Sequence, residues 1–82
     1  MNVALIVNQS KEDAESFRKV IVDALEKRGI QPRLFLNKDF LKSDFIDIDC
    51  IITLGGDGTI LHTAGVLSGM ETPILGINAG HL

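Results

Sequence analysis

Beyond Lys42 this chain contains no lysine and no arginine, and beyond Asp49 its only acids are Asp57 and Glu71. An anion handled by the second half would have to be held by backbone amides, hydroxyls, histidines or a metal ion, because that segment offers no cationic side chain. The formal net charge of -3 argues against a nucleic-acid binder, which presents a basic patch. The single cysteine, Cys50, excludes an internal disulfide and a thiolate metal site. Flanked by Ile48, Ile51 and Ile52, it reads as a small buried strand residue. No stretch approaches the ~20 continuous apolar residues of a membrane span. The run Val3 to Val7 is too short for a secretion signal and lacks a basic leader. The expectation is a soluble, cytoplasmic protein with no membrane partner.

Apolar and charged fractions of 45% and 23% are those of a folded domain rather than a disordered one. The 82 residues make one small domain, 1–82, which buries only about 60–65% of the surface its unfolded chain exposes. No repeat, linker or low-complexity stretch interrupts it. Asn2 to Asn8 is apolar on both faces, as a parallel strand covered by helices should be. Ser10 with Asp13 offers a capping pair, and Ala14, Phe17, Ile21, Ala24 and Leu25 recur at helical spacing from Glu12 to Arg28. On that helix Glu15–Lys19 and Asp23–Lys27 are i,i+4 pairs, Lys27 and Arg28 occupy the last turn, and Gly29 is the stop. Strands follow at Arg33 to Leu36, Cys50 to Leu54 and Ile74 to Ile77. Between the first two of these, Asn37 to Asp49 reads as a loop with one helical turn. A second helix is expected from Gly58 or Thr59 to Leu67. Strands alternating with helices give an α/β fold of Rossmann-like βαβ units on a parallel sheet.

The segment with chemistry in it is Gly55-Gly56-Asp57-Gly58-Thr59, which joins a buried strand to a helix. Its glycines permit positive φ and let a ligand approach bare backbone. Unpaired amides at the start of the next helix favour an anion. A phosphate-binding turn and a plain tight turn whose Asp57 caps the helix are both open readings. The P-loop is excluded because no Gly-Lys-Ser/Thr ending is present. A dinucleotide Gly-x-Gly-x-x-Gly fails as well, since the third position counted from Gly56 and Gly58 is Leu61.

Leu54 to Leu61, Leu-Gly-Gly-Asp-Gly-Thr-Ile-Leu, resembles the signature of the NAD kinase, diacylglycerol kinase and sphingosine kinase superfamily; phosphofructokinases carry a similar Gly-Gly-Asp-Gly. Gly76 to Leu82, Gly-Ile-Asn-Ala-Gly-His-Leu, resembles the downstream motif of the NAD kinases. The Gly-Thr-Gly-Asn-Asp segment of lipid kinases is missing, and Asn8-Gln9-Ser10 is not the Gly-rich turn of a phosphofructokinase. The resemblance covers essentially the whole chain. It implies the N-terminal part of an NAD kinase-type α/β domain. The family's continuation with Gly-Phe, its Asn-Glu/Asp signature and its β-rich NAD-binding domain are absent from this chain, so it is expected to be a fragment that is inactive alone.

What the resemblance implies is phosphorylation of the adenosine-ribose 2′-hydroxyl of NAD to give NADP. The donor would be ATP or polyphosphate, with a divalent cation, Mg²⁺ by preference, on its phosphates. Asp57 would be the general base. A carboxylate at a helix N-terminus is a weakened base, but phosphoryl transfer asks more for positioning than for base strength. Asp57 would then orient the hydroxyl and accept its proton late; holding the metal ion is the rival role. Gly55 and Gly56 would shape the turn, and Gly58 would admit substrate to the backbone. Thr59 either donates to a phosphate or starts the helix. Leu61 reads as core packing or as a wall for adenine or ribose. His62, at i+4 from Gly58, is a hydrogen-bond donor to phosphate or a surface histidine. Asn78 contacts the cleft or caps a turn, and His81 lies near it. Two histidines alone make no zinc site, and Asp44, Asp47 and Asp49 read as a solvated loop, so no protein-held metal is expected. Alternatives are a lipid or other small-molecule kinase sharing the Asp57 turn, or a non-catalytic nucleotide-binding module. Homo-oligomers are common in the family.

Overall fold

Five consecutive apolar residues, Val3–Val7, form β1, and every one of them is buried. A strand with both faces covered must lie inside a sheet, and in the computed structural model, which describes residues 1–9 and 14–78, it does. The elements follow in the order β1, α1 (Ala14–Glu26), β2 (Arg33–Leu36), a 3₁₀ turn (Lys42–Phe45), β3 (Cys50–Gly55), α2 (Asp57–Val66) and β4 (Ile74–Asn78). The sheet is wholly parallel with the order β2-β1-β3-β4. The chain leaves β1 toward one edge and β3 toward the other, so strand order reverses between these two central strands. Their ends are in register, Val7 beside Leu54.

Alternation along the strands sends Val3, Leu5, Val7, Ile52 and Leu54 to one face, where Ala14, Phe17, Ile21, Val22 and Leu25 of α1 cover them. The other face, Ala4, Ile6 and Ile51, meets Phe40, Phe45, Ile48 and Leu67. Here the segment joining β2 to β3 does the work of a helix. Phe35, Phe40 and Phe45 pack edge-on or tilted at centroid distances of 5.0–6.1 Å, and Phe45 is fully buried. The acids of this segment hold it in place. The Asp44 carboxylate accepts the Leu41 amide at 2.7 Å, the Asp49 carboxylate accepts the Asn2 amide at 2.6 Å, and Asp47 takes both guanidinium nitrogens of Arg33 at 3.1 Å.

The expected elements are all present, with differences of detail that have physical causes. α1 ends at Glu26, so Lys27 and Arg28 lie in the turn beyond it. There the Ile30 amide donates to Leu25 O and the Gly29 amide to Glu26 O, with Gly29 at φ 77°, which is the Schellman stop. Glu15 pairs with Arg18 rather than Lys19, and among the described residues Asp23 has no ion pair with Lys27. The Ser10–Asp13 capping pair and Glu12 lie outside the described residues. Cys50 is half-buried, not buried. It is the first residue of β3, one position before the β4 pairing begins at Ile51 beside Ile74. Among the described residues no helix is long and apolar enough to cross a membrane.

Two consequences can be measured. Replacing Phe45 by Ala should cost about 3–5 kcal/mol, the range for emptying a packed phenylalanine site, read as a lower midpoint in urea; a loss under about 1 kcal/mol would show the aromatic cluster to be dispensable. The second concerns acid. The Asp47 carboxyl sits below its ordinary value of 3.8, chiefly through its hydrogen bond from Arg33. A depressed carboxyl contributes stability that is complete above 3.8 and lost as pH falls through the lower folded value. Wild type should therefore lose more stability than Asp47→Asn on titration from pH 5 toward pH 2, by a small margin because the pair is exposed to solvent.

Candidate functional site

The end of β3 is followed without a loop by α2, whose first turn is Asp57-Gly58-Thr59. The residue at the helix start is Gly56, in extended conformation at φ -106°, and no side chain caps the helix. Thr59 N donates to Gly56 O at 3.1 Å, while the amides of Asp57 and Gly58 make no backbone hydrogen bond among the described residues. These two amides give α2 the anion-attracting end expected of a helix N-terminus. The reading in which Asp57 is a helix cap is not what forms. Its side chain is exposed, and among the described residues it accepts no hydrogen bond and joins no ion pair.

The glycines act by lacking a side chain, not by taking positive φ, since among the described glycines only Gly29 and Gly69 do so. A Cβ on Gly55 would stand 2.5 Å from Thr59 Oγ1 and 3.0 Å from Asn8 Cβ. The bare backbone lets the first turn of α2 and the residue after β1 close over the end of β3. Asn8 N donates to Leu54 O at 2.9 Å, and Asn8 Nδ2 donates to Thr59 Oγ1 at 3.4 Å. With its oxygen as acceptor there, the Thr59 hydroxyl keeps its own proton to give. A Cβ on Gly58, by contrast, would meet nothing within 4 Å. Its missing side chain leaves room for something other than this chain.

A cleft of about 530 Å³ opens at this point, lined by Asn8, Asn37, Lys38, Gly56, Asp57, Gly58, Thr59 and His62. It lies beyond the carboxyl ends of β1 and β3, at the reversal of strand order, where open parallel sheets bind ligands. His62 lies against the edge of Phe40 at a centroid distance of 5.5 Å, so the aromatic cluster of the second face sets its ring beside the cleft. Of the residues anticipated as binding, Gly56, Asp57, Gly58, Thr59 and His62 come together here. Gly55 lies beneath them as the last residue of β3. Asn78 ends β4 beside Gly55 and is exposed, but it does not line the cleft. Leu61 does not line it either. At 72% exposed it is not core as expected, because Ile60, Thr59 and Thr63 take the faces of α2 that meet the sheet and the cleft. His81 lies outside the described residues.

Three lining residues were not anticipated: Asn8, Asn37 and Lys38. Asn8 follows β1 and Asn37 follows β2, and a polar residue ending an apolar strand at the ligand edge is the signal that would have found them. Lys38 comes from the first half of the chain, and the sheet brings it to the cleft beside the turn in the second half. Asp44, Asp47 and Asp49 are occupied structurally, and among the described residues no group of three or more His, Cys, Asp or Glu could hold a metal ion.

The family model of the ATP-NAD kinase N-terminal domain matches residues 3–82. The chain is 34% identical over 84 residues to an NAD kinase of Clostridium kluyveri, covering 99% of this chain and 30% of that one. It is 35% identical over 82 residues to an NAD kinase of Caldicellulosiruptor bescii, covering 100% and 30%. To an NAD kinase of Methanopyrus kandleri it is 46% identical over 68 residues, covering 83% and 22%. The chain thus spans less than a third of the length of these curated relatives. No solved structure matches it.

The two glycines give opposite expectations for the same substitution. Gly55→Ala should destabilise by about 1–3 kcal/mol through overpacking against Thr59. Gly58→Ala, in the first turn of a helix with open space around it, should leave stability unchanged or raise it by up to about 1 kcal/mol. Urea unfolding of both variants checks this; equal losses would mean that Gly55 is not the point of closure.

Proposed function

The chain belongs to the ATP-NAD kinase family, and from that premise we propose that its cleft is one wall of a site that phosphorylates the adenosine-ribose 2′-hydroxyl of NAD, giving NADP. The observation that carries this reading is the state of Asp57. Its carboxylate is exposed at the cleft and has no structural task among the described residues: no cap, no ion pair, no hydrogen bond. A carboxylate placed in a ligand cleft and used by nothing around it is available to a substrate hydroxyl.

In this reading Asp57 accepts a hydrogen bond from the 2′-hydroxyl, directs the hydroxyl oxygen at the terminal phosphorus of the donor, and takes the proton as the new P–O bond forms and the bridging P–O bond of the donor breaks, releasing ADP or the shortened polyphosphate. Phosphoryl transfer passes through a loose transition state, so alignment matters more than a strong base. The free amides of Asp57 and Gly58, the Thr59 hydroxyl and the His62 imidazole are the donors that meet phosphate oxygens, as electrostatic stabilisation of the transferred group requires. Gly58 lets the sugar or phosphate reach the backbone. The phosphate donor is ATP or polyphosphate.

A divalent cation such as Mg²⁺ fits this donor set in one way only. Mg²⁺ is commonly held by one or two carboxylates together with substrate phosphates and water, and among the described residues the cleft offers the carboxylate of Asp57 with the side-chain oxygens of Asn37 and Thr59. An ion carried in on the donor phosphates and touching Asp57 would neutralise their charge. Recognition of the rest of the dinucleotide belongs to the sequence that the longer relatives possess.

The test is NADP formation from NAD, ATP and Mg²⁺ by the full polypeptide that carries this chain. Asp57→Asn should lower kcat by at least about 100-fold, the lower end for loss of a proton acceptor. Its unfolding free energy should stay within about 0.5 kcal/mol of wild type, as for an exposed side chain without partners. Near-normal turnover by Asp57→Asn would remove Asp57 from the chemistry, and no NADP from folded wild type would sink the kinase reading.

A further inference from the structure

The cleft has a second wall that this reading leaves unused, at the end of β2. Asn37 has φ 58°, and it is the one non-glycine residue at positive φ among those described. Asparagine tolerates the left-handed region better than other side chains, but a residue held there is held by its surroundings. Those surroundings are hydrogen bonds to the neighbouring strand. Asn37 N donates to Val7 O at 2.7 Å, Asn37 Oδ1 accepts from Gln9 N at 2.8 Å, and Asn37 Nδ2 donates to Gln9 Oε1 at 3.5 Å. They bind the end of β2 to the residues around Asn8, which itself lines the cleft. The left-handed step turns the chain out of the β2 direction, and the next residue, Lys38, lines the cleft with Asp57, Thr59 and His62.

Four other cations among the described residues have partners away from the cleft. Lys42 Nζ donates to Ser68 O at 2.7 Å, Arg33 binds Asp47, Arg18 binds Glu15, and Arg28 donates to Ala24 O at 3.3 Å. Lys38 has no hydrogen bond or ion pair among the described residues. Among the described residues it is also the only Lys or Arg lining the cleft, which it shares with the two amides at the start of α2. Amides that favour an anion and an uncommitted ammonium call for the same ligand.

We infer that Lys38, placed by the left-handed turn at Asn37, holds a condensed phosphate in the cleft. The inference rests on the kinase reading only for the source of that phosphate, either the polyphosphate chain of the donor or the pyrophosphate of the dinucleotide. Lys38 is the binding residue, and Asn37 is a positioning residue that acts through it.

Two experiments separate this inference from the reading it deepens. The first titrates inorganic tripolyphosphate into the chain by calorimetry. Lys38→Gln should weaken binding roughly tenfold, as for the loss of a hydrogen bond between charged groups, and Lys38→Arg should restore it to within about threefold of wild type. The dependence of affinity on salt should be shallower in Lys38→Gln. Asn37→Gly, which keeps the left-handed backbone, should bind more tightly than Asn37→Ala, which does not favour it. The second experiment compares KM values for NADP formation by the full polypeptide. A rise of about tenfold in KM for ATP alone assigns Lys38 to the donor, and a rise in KM for NAD alone assigns it to the dinucleotide. If wild type forms no NADP but tripolyphosphate binding still depends on Lys38, the kinase reading fails and the phosphate site stands. Tripolyphosphate that does not bind wild type, or that binds Lys38→Gln equally well, overturns the inference.

Discussion

A side chain at Gly55 would place its Cβ 2.5 Å from Thr59 Oγ1, and the approach that this forbids is the one from which the cleft is made. With the backbone bare, α2 starts directly on the end of β3 and Asn8 closes in from the end of β1, its amide on Leu54 O. The same device recurs on the flank of α2. A Cβ on Gly76 would overlap the end of the Ile60 side chain, so the missing side chain on β4 is what gives Ile60 its present place against the sheet. Thr63 Oγ1 donates to Thr59 O at 2.7 Å inside the helix, satisfying a buried hydroxyl without a partner from the sheet. The absent side chain at Gly55 thus admits the first turn of α2, and the one at Gly76 admits Ile60.

The second face of the sheet ties stability to the site. No helix follows β2. The chain instead returns through Phe40 and Phe45, which fill the space over Ala4, Ile6 and Ile51, and three of the four phenylalanines gather there. Phe40 carries the packing on to His62. An imidazole on one helix turn has several rotamers open to it; a ring edge at 5.5 Å narrows them to those beside the cleft. Loosening this aromatic core would then weaken the fold and release a cleft residue together, because one set of contacts serves both.

How much of this could be read from the sequence depends on how far apart the contributing residues are. The strands and helices were legible because each is a contiguous run with its own period and stop, such as Val3–Val7 or α1 with Gly29. The Gly55–Thr59 turn was legible for the same reason. Asn8, Asn37 and Lys38 were not, because they reach the cleft only through the strand order β2-β1-β3-β4, and no local pattern states which strands will be neighbours. The positive φ expected of the turn glycines does not form, and the role of Gly55 was missed, since its close approach depends on Asn8, a partner distant in sequence. Leu61 was misread because α2 carries apolar residues on more than one side, so periodicity does not say which of them faces inward.

The missing cations of the second half make physical sense once the cleft is assembled. A lysine within the first turn of α2 would stand in the positive end of the helix dipole, where cations are disfavoured. It would also lie within reach of the Asp57 carboxylate, and an ion pair there would occupy the group that the proposed chemistry needs unpaired. Carrying the cation in the turn beyond a different strand avoids both costs. Lys38 arrives at the end of β2, tethered by Asn37 to the end of β1, and Asp57 arrives at the end of β3. The two charges reach the cleft from the ends of different strands, and in the proposed site a phosphate would satisfy the ammonium and the helix amides while the carboxylate stays free for a hydroxyl. Separation along the sequence is here a way of keeping opposite charges in one cleft without letting them neutralise each other.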